Sequence, residues 1–288
     1  MITEDLLNEI LRWAPAFLLI AVRALAIIET APLLSSDAIP QAAKIALAAM
    51  AAFAVLPQDI SPGPEAMNSY PLLRVDPAVL NPQGLYFFLL IIGEAVIGVI
   101  TGFFMTIIFS AFSTAGQFFS LQMGFGASET FDPLSQIENP LMGQYLNLVA
   151  LLVFLITGGF RELFLGGFWR SIQSLSITSL ALGREQVLGM LLTGLSWLFL
   201  DAIIISMPIL GTLFLTSLAT GLISKAAPQI NILSEGFPIS ITVAFLLIFA
   251  SLPYMMEAFS RVIDAGFSSF QDLLIQVGEQ IADAGPNP

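Results

Sequence analysis

The sequence predicts an all-α integral membrane protein built on about six hydrophobic helices. Three observations carry this. Of 288 residues, 57% are hydrophobic and only 10% charged, against roughly 25% charged in a soluble domain. The apolar residues gather into runs at about 13–34, 41–57, 84–119, 141–157, 186–222 and 237–259. Proline and polar clusters punctuate those runs, as helix boundaries require.

The chain starts MITEDLLNEILRW, acidic where a cleaved signal peptide is basic, so insertion is expected to be directed by the hydrophobic segments themselves. The first run meets the roughly 20 apolar residues needed to cross about 30 Å of hydrocarbon. The second, 41–57, is marginal. Pro40 stands where its first helical turn would begin, and Pro57 ends it. Residues 58–83, with five of the 17 prolines, read as a surface loop. The run 84–119 is long enough for one span plus an apolar extension, and 141–157 is again marginal. Pro208 is expected to kink or split the run 186–222, and Pro238 to open the next helix. No internal repeat recurs at a fixed period.

Six spans would place the N-terminus, 58–83, 158–185 and the C-terminus on one side. That side carries Arg12, Arg74, Arg161, Arg170, Arg184 and Arg261, against Lys44 and Lys225 opposite. The positive-inside rule then puts both termini in the cytoplasm. The expected organisation is a helical membrane domain, 1–260, followed by an amphipathic helix and short tail, 261–288. In that tail Ile263, Phe267, Phe270, Leu274, Val277 and Ile281 form one apolar stripe. The opposite face carries Asp264, Asp272, Glu279 and Asp283, which suits anionic lipid poorly. The stripe should therefore pack on protein, either this chain's own body or a partner helix.

Several function classes are excluded by residue type. A net charge of −12 with nine scattered basic residues opposes nucleic-acid binding. With no His and no Cys, the commonest general base and the thiolate nucleophile are missing. No Walker loop, nucleophile motif or metal-ligand cluster is present, so no catalytic, cofactor or metal residue is assigned and an enzyme is not expected.

Arg23, Glu29, Glu94 and Asp201 fall inside apolar runs, where ionisable groups are costly and mark function by default. They fit either a proton or ion path through a transporter, or buried ion pairs in helices that do not face lipid. Gly98 and Gly102 form a GxxxG, and Ala42/Ala46 and Ala48/Ala52 repeat its spacing; both support close helix packing, within or between chains. The stretch TAGQFFSLQMGFGASETFDP, 114–133, starts helical and breaks at Gly124 and Gly126. Its Met123, Phe125 and Phe131 among polar neighbours can make a deformable apolar seal or anchor a plain loop.

Two stretches, TAGQFFSLQMGFG followed by FDP and GLISKAAPQINILSEGFPISI, resemble the signature regions of the FliR family. The N-terminal ETAPLLSSDAIPQAAKIALA is similar as well, and the likeness runs in order through nearly the whole chain. Two departures stand out: Gly159 and Phe160 occupy part of an expected Asn-Gly-His, and Gln117 replaces a more usual Glu. The resemblance implies a subunit of the flagellar type III export gate, with relatives in injectisomes. It implies helical hairpins stacked about an axis in a pore with FliP and FliQ, meeting FlhB and standing near FlhA, and passing unfolded flagellar proteins. It places the chain in the bacterial inner membrane at the basal body, lifted largely out of the bilayer plane. On this resemblance the loop at Met123, Gly124, Phe125, Gly126 and Phe131 is a pore plug. The strip 224–236 becomes a hairpin turn in which Pro228 and Pro238 restrict the chain while Gln229 and Asn231 satisfy backbone groups or neighbours. The alternatives are a stand-alone secondary transporter, an injectisome gate subunit or a structural scaffold.

Overall fold

The structure is a computed structural model describing residues 2–32, 34–56, 84–124, 141–175, 184–227 and 232–283. Every regular element among them is helical: α1 (Ile2–Thr30), α2 (Gln41–Val55), α3 (Leu85–Met123), α4 (Leu141–Ile156), α5 (Gly159–Ser174), α6 (Arg184–Ala226) and α7 (Ile232–Asp283). Each predicted apolar run lies on a helix. Four stretches are long and apolar enough to cross a membrane: Trp13–Thr30, Leu85–Met123, Val187–Ala226 and Pro238–Asp272. A fifth results if α4 and α5 act as one span, and α2 is a shorter apolar helix.

Three boundaries differ from the sequence reading. The segment 158–185 carries α5, whose central turns Glu162–Trp169 are π-helical; Gly158, at φ +79°, is the left-handed residue that separates α4 from α5. Pro208 does not divide α6, which runs unbroken from Arg184 to Ala226. A proline removes one bond from the ladder, and packing together with the flanking bonds holds the rest. Pro238 does not open α7, which begins six residues earlier at Ile232. The run 58–83 lies outside the described residues.

The chain forms two compact units. The first comprises Met1–Thr106, Gly159–Leu192 and Gly266–Pro288. Its core is built from Leu19, Ile20, Ala24 and Ile27 of α1, Ala48 and Ala52 of α2, and Phe104 of α3, with Phe168 and Ile172 of α5 and Phe267, Phe270 and Leu274 of α7. Phe270 stacks on Phe104 with ring centres 5.2 Å apart. Of the C-terminal stripe, Phe267, Phe270 and Leu274 are buried in this unit, and Ile263 is buried in the second; the side chains of Val277 and Ile281 lie outside the described part. Helix α7 passes through residue 260 without interruption.

The second unit comprises Ile107–Gly158 and Thr193–Ala265. Phe112 is central to it, packed on Phe259 at 4.4 Å and on Phe109 at 6.2 Å. Helix α6 buries Leu198, Ala202, Ile205, Ile209 and Leu213, one stripe at helical spacing. Its remaining sides expose large apolar groups such as Trp197, Phe199, Ile204 and Leu215, the profile of a helix whose solvent is lipid or another apolar protein.

Candidate functional site

Helix α3 carries a buried stripe along its full length: Phe87, Leu90, Glu94, Ile97, Thr101, Phe104, Ile108, Phe112, Ala115, Phe119 and Met123. Every step is three or four residues, so all of these lie on one side of the helix. Two members are polar, and Glu94 is fully enclosed.

Glu94 meets Arg23 of α1, whose side chain is also completely buried. Arg23 Nε donates to Glu94 Oε2 at 2.6 Å. Its Nη1 donates to the carbonyl of Ser171 at 2.6 Å and its Nη2 to that of Leu175 at 3.0 Å. These carbonyls stand at the end of α5: that of Ser171 also accepts the Leu175 amide at 2.9 Å, and that of Leu175 lies just past the last turn. Leu175 is extended, with φ −105° and ψ 120°, so the chain leaves the helix there and the guanidinium adds donors at a helix end where backbone amides run short. The positive charge also opposes the negative end of the helix dipole. All three guanidinium nitrogens are used. The node therefore fastens α1, α3 and α5 together. Among the described residues Glu94 Oε1 has no hydrogen-bond partner.

One turn further along α3, the GxxxG lies against α1. A Cβ added at Gly98 would stand 2.6 Å from Ala26 Cβ and from the Arg23 carbonyl. At Gly102 it would stand 2.9 Å from Thr30 Cβ and 3.0 Å from the Ile27 carbonyl. As α3 advances from 98 to 102 its contacts on α1 advance from 23–26 to 27–30, so the two helices run parallel here. Thr106 Oγ1 extends the seam by donating to the Thr30 carbonyl at 2.7 Å. Of the two readings for this motif, packing within the chain is the one realised. Of the alanine pairs, Ala48 and Ala52 are buried while Ala42 and Ala46 are exposed.

Glu29 also finds a partner, which sequence reasoning missed. Lys44 Nζ lies 3.1 Å from Glu29 Oε2 and donates to the Ser35 carbonyl at 3.2 Å, while Gln41 donates to Glu29 Oε1. Together they tie the end of α1 to α2. Their separation of 15 residues, across the turn 31–40, leaves no local spacing signal.

In the second unit, a Cβ at Gly116 would come within 2.5 Å of both Gly143 Cα and the Met142 carbonyl, so α3 and α4 touch backbone to backbone. Met123 is fully buried. Gly124 ends α3 with φ +89° and donates its amide to the Leu121 carbonyl at 3.1 Å, the left-handed conformation helix ends favour glycine for. Phe125, Gly126 and Phe131 lie outside the described residues.

The polar strip narrows to the connection between Ala226 and Ile232. Ala227 still donates to the Ile223 carbonyl at 2.8 Å. Pro228, Gln229 and Asn231 lie outside the described residues, and Pro238 is exposed on α7. Asp201 stands half-buried on α6. The ionisable residues singled out from sequence thus divide into two closed pairs and one carboxylate by itself.

The sequence matches the model of the bacterial export proteins, family 1, over residues 14–266. It is 27% identical to the flagellar biosynthetic protein FliR of Bacillus subtilis over 94% of this chain and 99% of that protein. To FliR of Escherichia coli it is 29% identical, over 93% and 95%. To FliR of Borreliella burgdorferi it is 33% identical, over 66% and 71%. The signature stretches quoted above, the all-helical fold and a family match across most of the chain agree, and the chain belongs to the bacterial export proteins, family 1.

Proposed function

We propose that this chain is a non-enzymatic subunit of the flagellar type III protein-export gate. In this reading it assembles with FliP- and FliQ-type partners into the pore through which unfolded flagellar proteins cross the inner membrane, with FlhB and FlhA as neighbours at the basal body. The observation that carries the reading is the family match spanning residues 14–266, with flagellar relatives covered almost end to end. The charges support it. A secondary transporter places its intramembrane charges along a substrate or proton path, whereas Arg23 spends every guanidinium nitrogen on Glu94 and two carbonyls. The large exposed apolar side chains on α3, α6 and α7, such as Phe103, Phe214 and Phe249, suit both lipid and apolar partner subunits.

Within this reading the plug is the loop of Met123, Phe125 and Phe131 with Gly124 and Gly126 as its hinges, and Met123 is the member held in the buried end of α3. The 227–231 connection, with Pro228, Gln229 and Asn231, sets assembly geometry beside Pro238, and 261–288 acts as the terminal clasp. The experiment is coexpression of the full chain with FliP- and FliQ-type subunits, followed by native mass measurement. One defined hetero-oligomer containing all three is the expected result. A monodisperse chain that binds a small solute without partners overturns the reading in favour of a transporter.

A further inference from the structure

Asp201 is the one charged residue between Glu185 and Lys225. Among the described residues no hydrogen bond or ion pair reaches it, while Arg23 has Glu94, Lys44 has Glu29, Arg161 has Glu162 and Arg261 has Glu257. It sits half-buried on a face of α6 where Trp197, Ile204 and Pro208 are exposed. An ionised carboxylate in an apolar setting gains from a cationic partner.

A second acceptor lies on the same face. Residue 208 is proline and has no N–H, so the carbonyl of Ile204 loses its normal donor four residues on. Positions 201 and 208 are two helical turns apart and share one side. The face therefore presents a carboxylate and a freed carbonyl, framed by Trp197, Leu200, Ile204 and Met207, all exposed. Lipid tails satisfy neither acceptor.

We propose that Asp201 and the Ile204 carbonyl form the docking site for a membrane-embedded helix of another protein that carries an Arg or Lys within its apolar span. Arginine fits best, because its planar fork offers several donors to two acceptors at once. A second copy of this chain is the poorer occupant. Within the four single-helix stretches long enough to cross a membrane its bases are Arg23, which is buried and engaged, Arg261, which is paired with Glu257, and Lys225, in the last turn of α6. The proposal rests on the reading of the chain as one subunit of a hetero-oligomer, and it names the contact.

The test uses the full chain coexpressed with its gate partners, a photo-crosslinking residue at Trp197 and mass spectrometry of the linked peptides. The expected product is a peptide from an apolar helix of a different protein containing Arg or Lys. D201N should lower its yield by about tenfold or more at equal membrane insertion, D201E should retain most of it, and an Asp201→Arg variant paired with the partner's base changed to Asp should restore it. Lipid adducts or a second copy as the main product, or a yield that D201N leaves unchanged, overturns the proposal. So does loss of insertion in both D201N and D201E. Copurification of FliP- and FliQ-type subunits with a crosslink indifferent to D201N sinks the site and spares the gate reading. A charge-dependent crosslink to a basic helix of some other protein does the reverse.

Discussion

Removing Arg23 while leaving Glu94 in place is the sharpest perturbation the structure offers. In Arg23→Met the apolar stem is replaced at similar length, but the buried carboxylate loses its counter-charge at 2.6 Å, the Leu175 carbonyl loses its guanidinium donor, and the Ser171 carbonyl keeps only the Leu175 amide. Breaking a buried pair by deleting one partner costs about 3–5 kcal/mol. The stranded Leu175 carbonyl adds about 1–3 kcal/mol, less where water or a shifted amide reaches it. The sum rivals the roughly 5–15 kcal/mol that holds a whole domain together, so the single variant should accumulate poorly. Glu94→Gln should cost less, because Arg23 keeps both carbonyl bonds and the amide oxygen can still accept. The informative quantity is the double variant Arg23→Met/Glu94→Leu. It removes both charges and leaves only the α5 end uncapped, so it should recover at least about 2 kcal/mol relative to the sum of the singles. The assay is thermal unfolding of the detergent-solubilised complex, followed by chromatography at equal expression. Singles that behave like wild type, or a double variant as damaging as the two singles added, would refute the assignment of Arg23 as a cap balanced by Glu94.

Other positions give graded outcomes. Gly98→Val and Gly102→Val drive a side chain into the α1 backbone, at 2.6 Å and 3.0 Å from carbonyl oxygens; each should cost about 1–3 kcal/mol or more, read as lost complex in the same assay. Gly116→Ala should be comparably damaging because the obstacle is the Gly143 backbone at 2.5 Å, which cannot swing aside. Gly158→Ala meets open space and is opposed only by its φ of +79°, so a loss of about 1–2 kcal/mol is expected, clearly milder than at Gly116. Deleting 125–130 should leave the complex assembled and make it leaky to ions in conductance measurements; a tight gate at equal abundance would return the segment to a plain loop.

How much of this was legible in the sequence depended on what kind of signal each feature leaves. Helix existence follows from apolar run length, and all six runs lie on helices. Which side of a helix is buried does not follow, because α3 and α6 are apolar all round: Phe104 is enclosed and Phe103 exposed with nothing in hydropathy to separate them. The face was marked instead by residues that interrupt the apolarity. Gly98, Gly102, Glu94 and Gly116 all lie where another helix approaches closely. Partners distant in sequence were illegible, since Arg23 meets carbonyls 148 and 152 residues away. The end of α5 that it caps was read as a connecting segment because Arg161 and Glu162 break the run. The start of α7 was misplaced because proline is a strong marker of first turns but tolerates later positions when neighbours hold the helix.

In lipid, apolar surface gives helices no preference among partners, so specificity has to come from close backbone contact and from polar groups. This chain uses most of its polar groups inwardly. Thr212, Thr216 and Thr220 would form a hydroxyl stripe on α6, yet each donates to the carbonyl four residues before it: Pro208 at 2.9 Å, Thr212 at 2.9 Å and Thr216 at 3.0 Å. Their protons are therefore spent on their own helix. Ser217 and Thr242 do the same with Leu213 and Pro238. The buried charges of the first unit are paired, Arg23 with Glu94 and Lys44 with Glu29. On the face of α6 that leaves Asp201, with the carbonyl that Pro208 frees. A neighbour seeking a specific contact through an otherwise uniform apolar wall meets that carboxylate and carbonyl, and only a cationic donor answers both.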